Sequence, residues 1–114
     1  MENIVYHELR IRGFHVDVGV VTQNMTDEKG QGQWKQLEID FVCSRGNRRY
    51  CIQSAWAILD QRKMEQEQRP LMLTGDFFKK IIITRDAPAP YYNEDGILVM
   101  NIYDFLLDQD SLEY

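Results

Sequence analysis

Glu8, Asp40 and Gln53 are the side chains of this sequence whose types and spacing could do chemistry. Asp40 lies in the strand-like run 36–42, and Gln53 lies in the next such run, 49–55, two residues before Ala55. A hairpin of the two runs brings Asp40 beside Gln53, with Glu8 approaching from an opening helix. Two or three oxygen ligands converging in this way suit Mg²⁺ or Mn²⁺, which take octahedral oxygen sites and retain several waters. A metal held there polarises a phosphate and lowers the pKa of an attacking water.

The set is incomplete. Gln53 offers a neutral carbonyl oxygen where a second carboxylate would strengthen the site, and Ala55 has no amine to orient water or balance charge on a phosphate. Losing one such donor typically lowers a rate by on the order of 10²–10³. Lys63, on the segment that follows, is the nearby lysine able to stand in. Each residue also has an ordinary reading. Glu8 is then an exposed helix carboxylate, Glu38 and Asp40 the solvent face of a half-covered strand, and Lys63 a solvated helix residue. Against that, Asp is disfavoured within strands, and Asp40 stands between Ile39 and Phe41.

The elements that must position these residues follow from periodicity. Residues 2–12 place Ile4, Val5, Leu9 and Ile11 on one helical face, and Gly13 supplies a stop. Val16, Val18, Val20 and Val21 mark 14–22 as a strand, while Asn24, Asp27, Gly30 and Gly32 mark 23–35 as a flexible hairpin connection. Strands 36–43 and 49–55 follow, joined by the turn 44–47. Alternation on the first of them puts Leu37, Ile39 and Phe41 on one face and Glu38, Asp40 and Val42 on the other.

Asp60 is a suitable N-cap for a helix running toward Pro70, very polar and anchored by Met64, Leu71 and Met72. The run 79–84 reads as a central strand, 87–96 as a rigid loop and turn, 97–102 as a last strand and 103–107 as a terminal helix. The order α-β-β-β-α-β-β-α describes an α/β fold. An antiparallel meander leads through a helical crossover into a mixed sheet flanked by helices.

A chain of 114 residues, 44% apolar and 27% charged, makes one domain with a real core. A net charge of −5 disfavours nonspecific nucleic-acid binding, and the clusters Arg10 with Arg12 and Arg45 with Arg48 and Arg49 read as solvated rims. No apolar run reaches the roughly 18–20 residues needed to span a bilayer, and no secretory signal opens the chain, so a cytoplasmic setting is expected. Cys43 and Cys51 read as buried free thiols, able to bridge only if they face one another across neighbouring strands. Trp34, Trp56, Tyr91 and Tyr92 read as core or lid residues, the adjacent tyrosines also as a candidate binding surface.

These residues together resemble the C-terminal domain of a widespread group of prokaryotic AAA-type ATPases, which has the PD-(D/E)XK, restriction-endonuclease-like fold. The resemblance covers nearly the whole chain. It runs through the opening helix 2–9, the strand 12–19, Leu37-Glu-Ile-Asp-Phe-Val42 with the motif aspartate, and Tyr50-Cys-Ile-Gln-Ser-Ala55, similar to a subgroup with a Gln-x-Ala triplet. Residues 69–71, 80–84 and 96–106 complete it.

The resemblance implies that Glu8, Asp40 and Gln53 stand at metal positions and Ala55 at the position of a catalytic lysine, for which Lys63 is the displaced candidate read from the residues above. It also implies that residues 1–114 form one nuclease-like domain, a fragment of a larger ATPase. No Gly-x-x-x-x-Gly-Lys-[Ser/Thr] loop lies in these residues, so the ATP site would lie upstream.

Three functions follow as expectations. The first is a catalytically inactive domain serving as an interaction or regulatory module, without a cofactor, whose partner is the upstream ATPase domain or another protein. Its contacts would come from helix 60–69 and loop 86–96. The second is a weak Mg²⁺- or Mn²⁺-dependent DNA nuclease. The third is a contribution to stability and oligomer contacts alone.

Overall fold

The computed structural model describes residues 1–75 and 77–114. Helix α1 (Glu2–Ile11) leads into strands β1 (His15–Thr26), β2 (Gly32–Arg45) and β3 (Arg48–Ala55). Helix α2 (Gln61–Met72), β4 (Lys79–Thr84), β5 (Tyr91–Tyr92), β6 (Leu98–Asn101), α3 (Ile102–Leu107) and a 3₁₀ turn at Ser111–Glu113 follow. The strands form one mixed sheet in the order β1-β2-β3-β4-β6-β5. β1, β2 and β3 make an antiparallel meander, β3, β4 and β6 run parallel, and β5 returns antiparallel at the far edge. The expected α/β architecture with a mixed sheet and flanking helices is present, with β5 an additional short strand inside the loop expected at 87–96.

Each face of the sheet carries its own core. Val5, Leu9, Phe41, Ile52, Ile83 and Phe105 are among those buried under α1 and α3, while Ile39, Cys51, Leu71, Ile82, Ile97 and Val99 are buried under α2. β4 contributes Ile81 and Ile83 to one core and Ile82 to the other, which is why its sequence is continuously apolar. On α1 only Val5 and Leu9 are buried. Ile4 and Ile11, expected on the same face, are 51% and 79% exposed because the contact stripe is narrower than the apolar stripe. On α2, Leu71, Pro70 and Gln68 are buried, and Met72 points to solvent. Trp34 and Trp56 are surface residues, not members of the core.

Two features of the meander depart from the periodic reading. The connection expected at 23–35 shrinks to a turn at 27–31, and the two strands extend to meet it. Asp27 builds that turn, its Oδ1 accepting from the amides of Lys29 and Gln31. The second departure is a bulge. Asp17 pairs with Val42 but Gly19 pairs with Ile39, so Asp40 and Phe41 together stand opposite Val18.

The extra residue reverses the alternation of β2. Ile39 enters the core under α2 and Phe41 the core under α1, although simple alternation assigns both to one face. Gly19 is required at this fold-over. A Cβ there would stand 2.5 Å from Val42 Cγ2 and 3.1 Å from Ile39 Cβ. Cys43 and Cys51 fall in different cores, hence on opposite faces, and remain free thiols. Among the described residues no helix is long and apolar enough to cross a membrane.

At the end of α1, Gly13 (φ +87°) turns the chain, and the amide of Phe14 reaches back to Leu9 O at 3.0 Å. This geometry directs Arg12 inward. Its Nε donates to Glu8 Oε1 at 2.9 Å, Nη1 to Ser111 Oγ at 3.0 Å, and Nη2 to the carbonyls of Phe105 and Asp108. The guanidinium also lies 4.5 Å from the centre of the Phe105 ring. Arg12 is therefore a buried hub, not the solvated rim expected for it.

Candidate functional site

The ladder between β2 and β3 runs from the pair Arg45–Arg48 to the pair Phe41–Ile52 and ends there. Past that point side chains take over from the backbone. The amide of Asp40 donates to Gln53 Oε1 at 2.8 Å, and the amide of Ser54 donates to Asp40 Oδ2 at 2.8 Å. Gln53 Nε2 then donates to the carbonyl of Glu67 on α2 at 3.2 Å. Backbone groups inside a protein need partners, and here the diverging strands find them in Asp40 and Gln53. Gln53 is 5% exposed and uses both ends of its amide. A carboxylate could accept from Asp40 but could not donate to Glu67.

The fork therefore unites Asp40 and Gln53, as the sequence suggests. Ala55 sits beside them, 3% exposed and paired in register with Thr84 of β4. Glu8 is engaged elsewhere, in the ion pair with Arg12. The charges that reach Asp40 are instead those of Glu2, Glu67 and Glu38. Lys63 is nearby in a particular sense. Its Nζ lies 2.8 Å from Glu67 Oε1, one helical turn away on α2. Among the described residues no group of three His, Cys, Asp or Glu side chains is arranged to hold a metal ion.

Burial raises the pKa of Asp40 above its ordinary value. The Ser54 amide opposes that shift, while Glu2, Glu67 and Glu38 add to it. A raised pKa in the folded state means that the protonated form is favoured by folding. The contribution of Asp40 to stability is therefore greatest at low pH and declines as pH rises from the ordinary carboxylate range through the raised value. Asp40→Asn keeps an oxygen for Ser54 and removes the charge. It is expected to raise stability at neutral pH by about 0.5 kcal/mol, a small figure because the site is partly screened by solvent. Thermal melts across a pH series should show the advantage of the variant widening as pH rises. An advantage that is constant or reversed would contradict this electrostatic account.

Two cavities lie in this part of the molecule, one beside Ser54 and one against α2. One, of about 390 Å³, is lined by Met1, Glu2, Asn3, Ser54 and Trp56. Ser54 Oγ is buried without a hydrogen-bond partner. The other, of about 530 Å³, lies between α2 and the segment 91–95 and is lined by Gln61, Met64, Gln68, Tyr91 and Asn93 among others. Its floor is a polar relay in which Asn93 Nδ2 donates to Gln68 Oε1 at 3.1 Å and Gln68 Nε2 donates to Asp95 Oδ2 at 2.5 Å. The helix and the loop expected to make contacts thus flank one groove.

Several members of this neighbourhood are not legible in the sequence. Glu67 carries a signal, its spacing of four from Lys63. Ser54 and Glu2 carry none, because their nearness to Asp40 arises from the fork and from the entry of α1.

No family model matches the chain. An uncharacterized protein of Haemophilus influenzae is similar to it, with 34% identity over 110 residues, covering 94% of this chain and 22% of that protein. The chain thus spans about a fifth of the length of the curated relative it matches.

Proposed function

We propose that this chain is a non-catalytic domain of the restriction-endonuclease-like fold, serving as an interaction or regulatory module of a larger AAA-type ATPase. The observation that carries this reading is the fork: Asp40 and Gln53, which the resemblance sets at metal positions, make structural hydrogen bonds. Asp40 holds the Ser54 amide, and Gln53 bridges Asp40 to Glu67 through both ends of its amide. Ala55 offers no functional group. Topology is compatible, since an antiparallel meander passes through α2 into parallel strands and the fork opens where β2 leaves β3. A match confined to 22% of a longer relative is what a module would give. The groove between α2 and segment 91–95 offers amides, a carboxylate and exposed Tyr91 to a protein partner.

The rival reading, a weak Mg²⁺- or Mn²⁺-dependent nuclease, draws support from Lys63, which pairs with the glutamate whose carbonyl Gln53 holds. One experiment separates the two. Supercoiled and single-stranded DNA are incubated with Mn²⁺ and either the wild type or Asp40→Asn, which preserves the fork. No cleavage by either protein, or equal traces from both, is the expected result. Wild-type cleavage that disappears in the variant would replace the proposal with a nuclease using a rearranged site.

A further inference from the structure

We propose that the chain pairs with a second copy of itself through the free edge of β1, antiparallel and centred on Val20. β1 is the terminal strand of the sheet, and its 12 residues make it one of the two longest strands. Natural edge strands are usually blunted by brevity, lysine, proline or a bulge. β1 is long and contains neither lysine nor proline, its titratable side chains are confined to His15 and Asp17 at the beginning, and the extra residue of the bulge lies on β2 and not on this edge strand. Support from the rest of the sheet is also short. β3 meets β2 only from Phe41 to Arg45, so the outer part of the hairpin is a two-stranded ribbon. Such ribbons are marginal in water without further strands or a covering layer. Val18, Val20 and Trp34 are nevertheless 64%, 58% and 73% exposed along it.

A second copy fits this edge by symmetry. Two antiparallel strands related by a twofold axis normal to the sheet keep their faces, so residues of equal parity oppose one another. Centring on Val20 sets Val20 against Val20 and Val18 against Thr22, a run of β-branched pairs on one face. On the other face Asp17 meets Gln23 and His15 meets Met25, so no like charges are opposed.

Beyond the strand ends, the tip residues Asp27 and Glu28 arrive beside Gly13 of the second copy. Exposed Arg10 and Arg45 stand near that glycine, Arg45 lying 4.8 Å from the centre of the Phe14 ring and donating to Arg12 O at 2.6 Å. The tip, with two carboxylates against the single Lys29, is acidic on balance and meets a basic corner twice, once at each end. A centre at Val21 would still set Val20 against Thr22 but would put Val18 against Asn24, shortening the β-branched run from three consecutive pairs to two. The contact uses the same surface on both copies, so it closes at two and leaves the β5 edge of each sheet open.

The test combines mass measurement with cross-linking. Light scattering on wild type at high micromolar concentration should give a dimer, and Val20→Lys should give a monomer with an unchanged circular dichroism spectrum. Val20→Cys should oxidise to a covalent dimer, whereas Thr22→Cys, which faces Val18 of the second copy, should not. The native thiols do not interfere, since Cys43 and Cys51 are buried and burial pushes Cys43 up to about 12. A wild type that remains monomeric, or a Val20→Cys variant that links no better than Thr22→Cys, would overturn the proposal. If Val20→Lys alters the fold, the pair of cysteine variants still decides the question.

Discussion

Arg12→Ala is expected to lower the stability of this domain by about 3–5 kcal/mol, the range found when one partner of a buried, hydrogen-bonded charge is removed. The guanidinium serves Glu8, Ser111 and the carbonyls of Phe105 and Asp108, drawing together α1, α3 and the final turn. Without it the Glu8 carboxylate, 20% exposed at its side chain, loses its cation. The Asp108 carbonyl loses its Arg12 donor, while the Phe105 carbonyl keeps the Ser111 hydroxyl. A loss of this size approaches the whole stability of a typical small domain. Urea unfolding of Arg12→Ala and Arg12→Lys measures it. Lysine should recover little, because a single ammonium cannot reproduce the planar spread of donors that these four acceptors require. A change below about 1 kcal/mol in the alanine variant would show that the hub is dispensable.

The second large effect is expected at Gln53, where the change that looks most like a repair should do harm. Gln53→Glu places a carboxylate against the carbonyl of Glu67 in a site only 5% exposed, beside Asp40. The donor is lost and two acceptors are left facing each other, which should cost about 2–3 kcal/mol at neutral pH. The variant carries its own diagnostic. Once protonated, the introduced acid can again donate to the Glu67 carbonyl while its other oxygen accepts from the Asp40 amide. Burial raises the pKa of that acid, so the deficit should shrink as pH falls and grow as pH rises. Paired melting curves for the two proteins across the acidic range would reveal it. A deficit independent of pH would mean that the amide matters for its shape and not for its donor.

Much of the fold is legible in local chemistry. The three meander strands, the crossover helix with its Asp60 cap and the apolar β4 each announce themselves, because the period and the boundary residues agree. Asp60 does accept from the Lys63 amide, at 2.9 Å. The nearness of Asp40 to Gln53 is legible too, since a short hairpin admits few registers. What resists reading depends on interactions between elements. The bulge opposite Val18 leaves its mark on the neighbouring strand, as the isolated Gly19, and nothing within β2 itself marks it, so alternation assigns Ile39 and Phe41 to the same face. Arg12 looks like any helix-end arginine until α3 and the last turn close over it. The long hairpin is hidden by Asn24 and Gly32, polar and flexible residues that a strand can carry when neither of its faces is covered, with Gly30 alone belonging to the turn.

The bulge makes the effect of losing a residue from β2 depend on where it is lost. In an ordinary strand, removing one residue turns every side chain on one side of the gap to the opposite face. Here Ile39 and Phe41 point to opposite sides of the sheet although they stand two apart, because one extra residue lies at the bulge. Deleting Ile39 or Phe41 removes an anchor of one layer and should be as damaging as a large-to-small change in either core, whereas deleting Asp40 leaves the two as neighbours on opposite faces and costs the hydrogen bonds of the fork instead. A deletion at the tip, near Gly30, where a Cβ would meet nothing within 4 Å, should be absorbed by the turn. Lineages carrying this domain should therefore vary in hairpin length at the turn and hold the count constant across the fork.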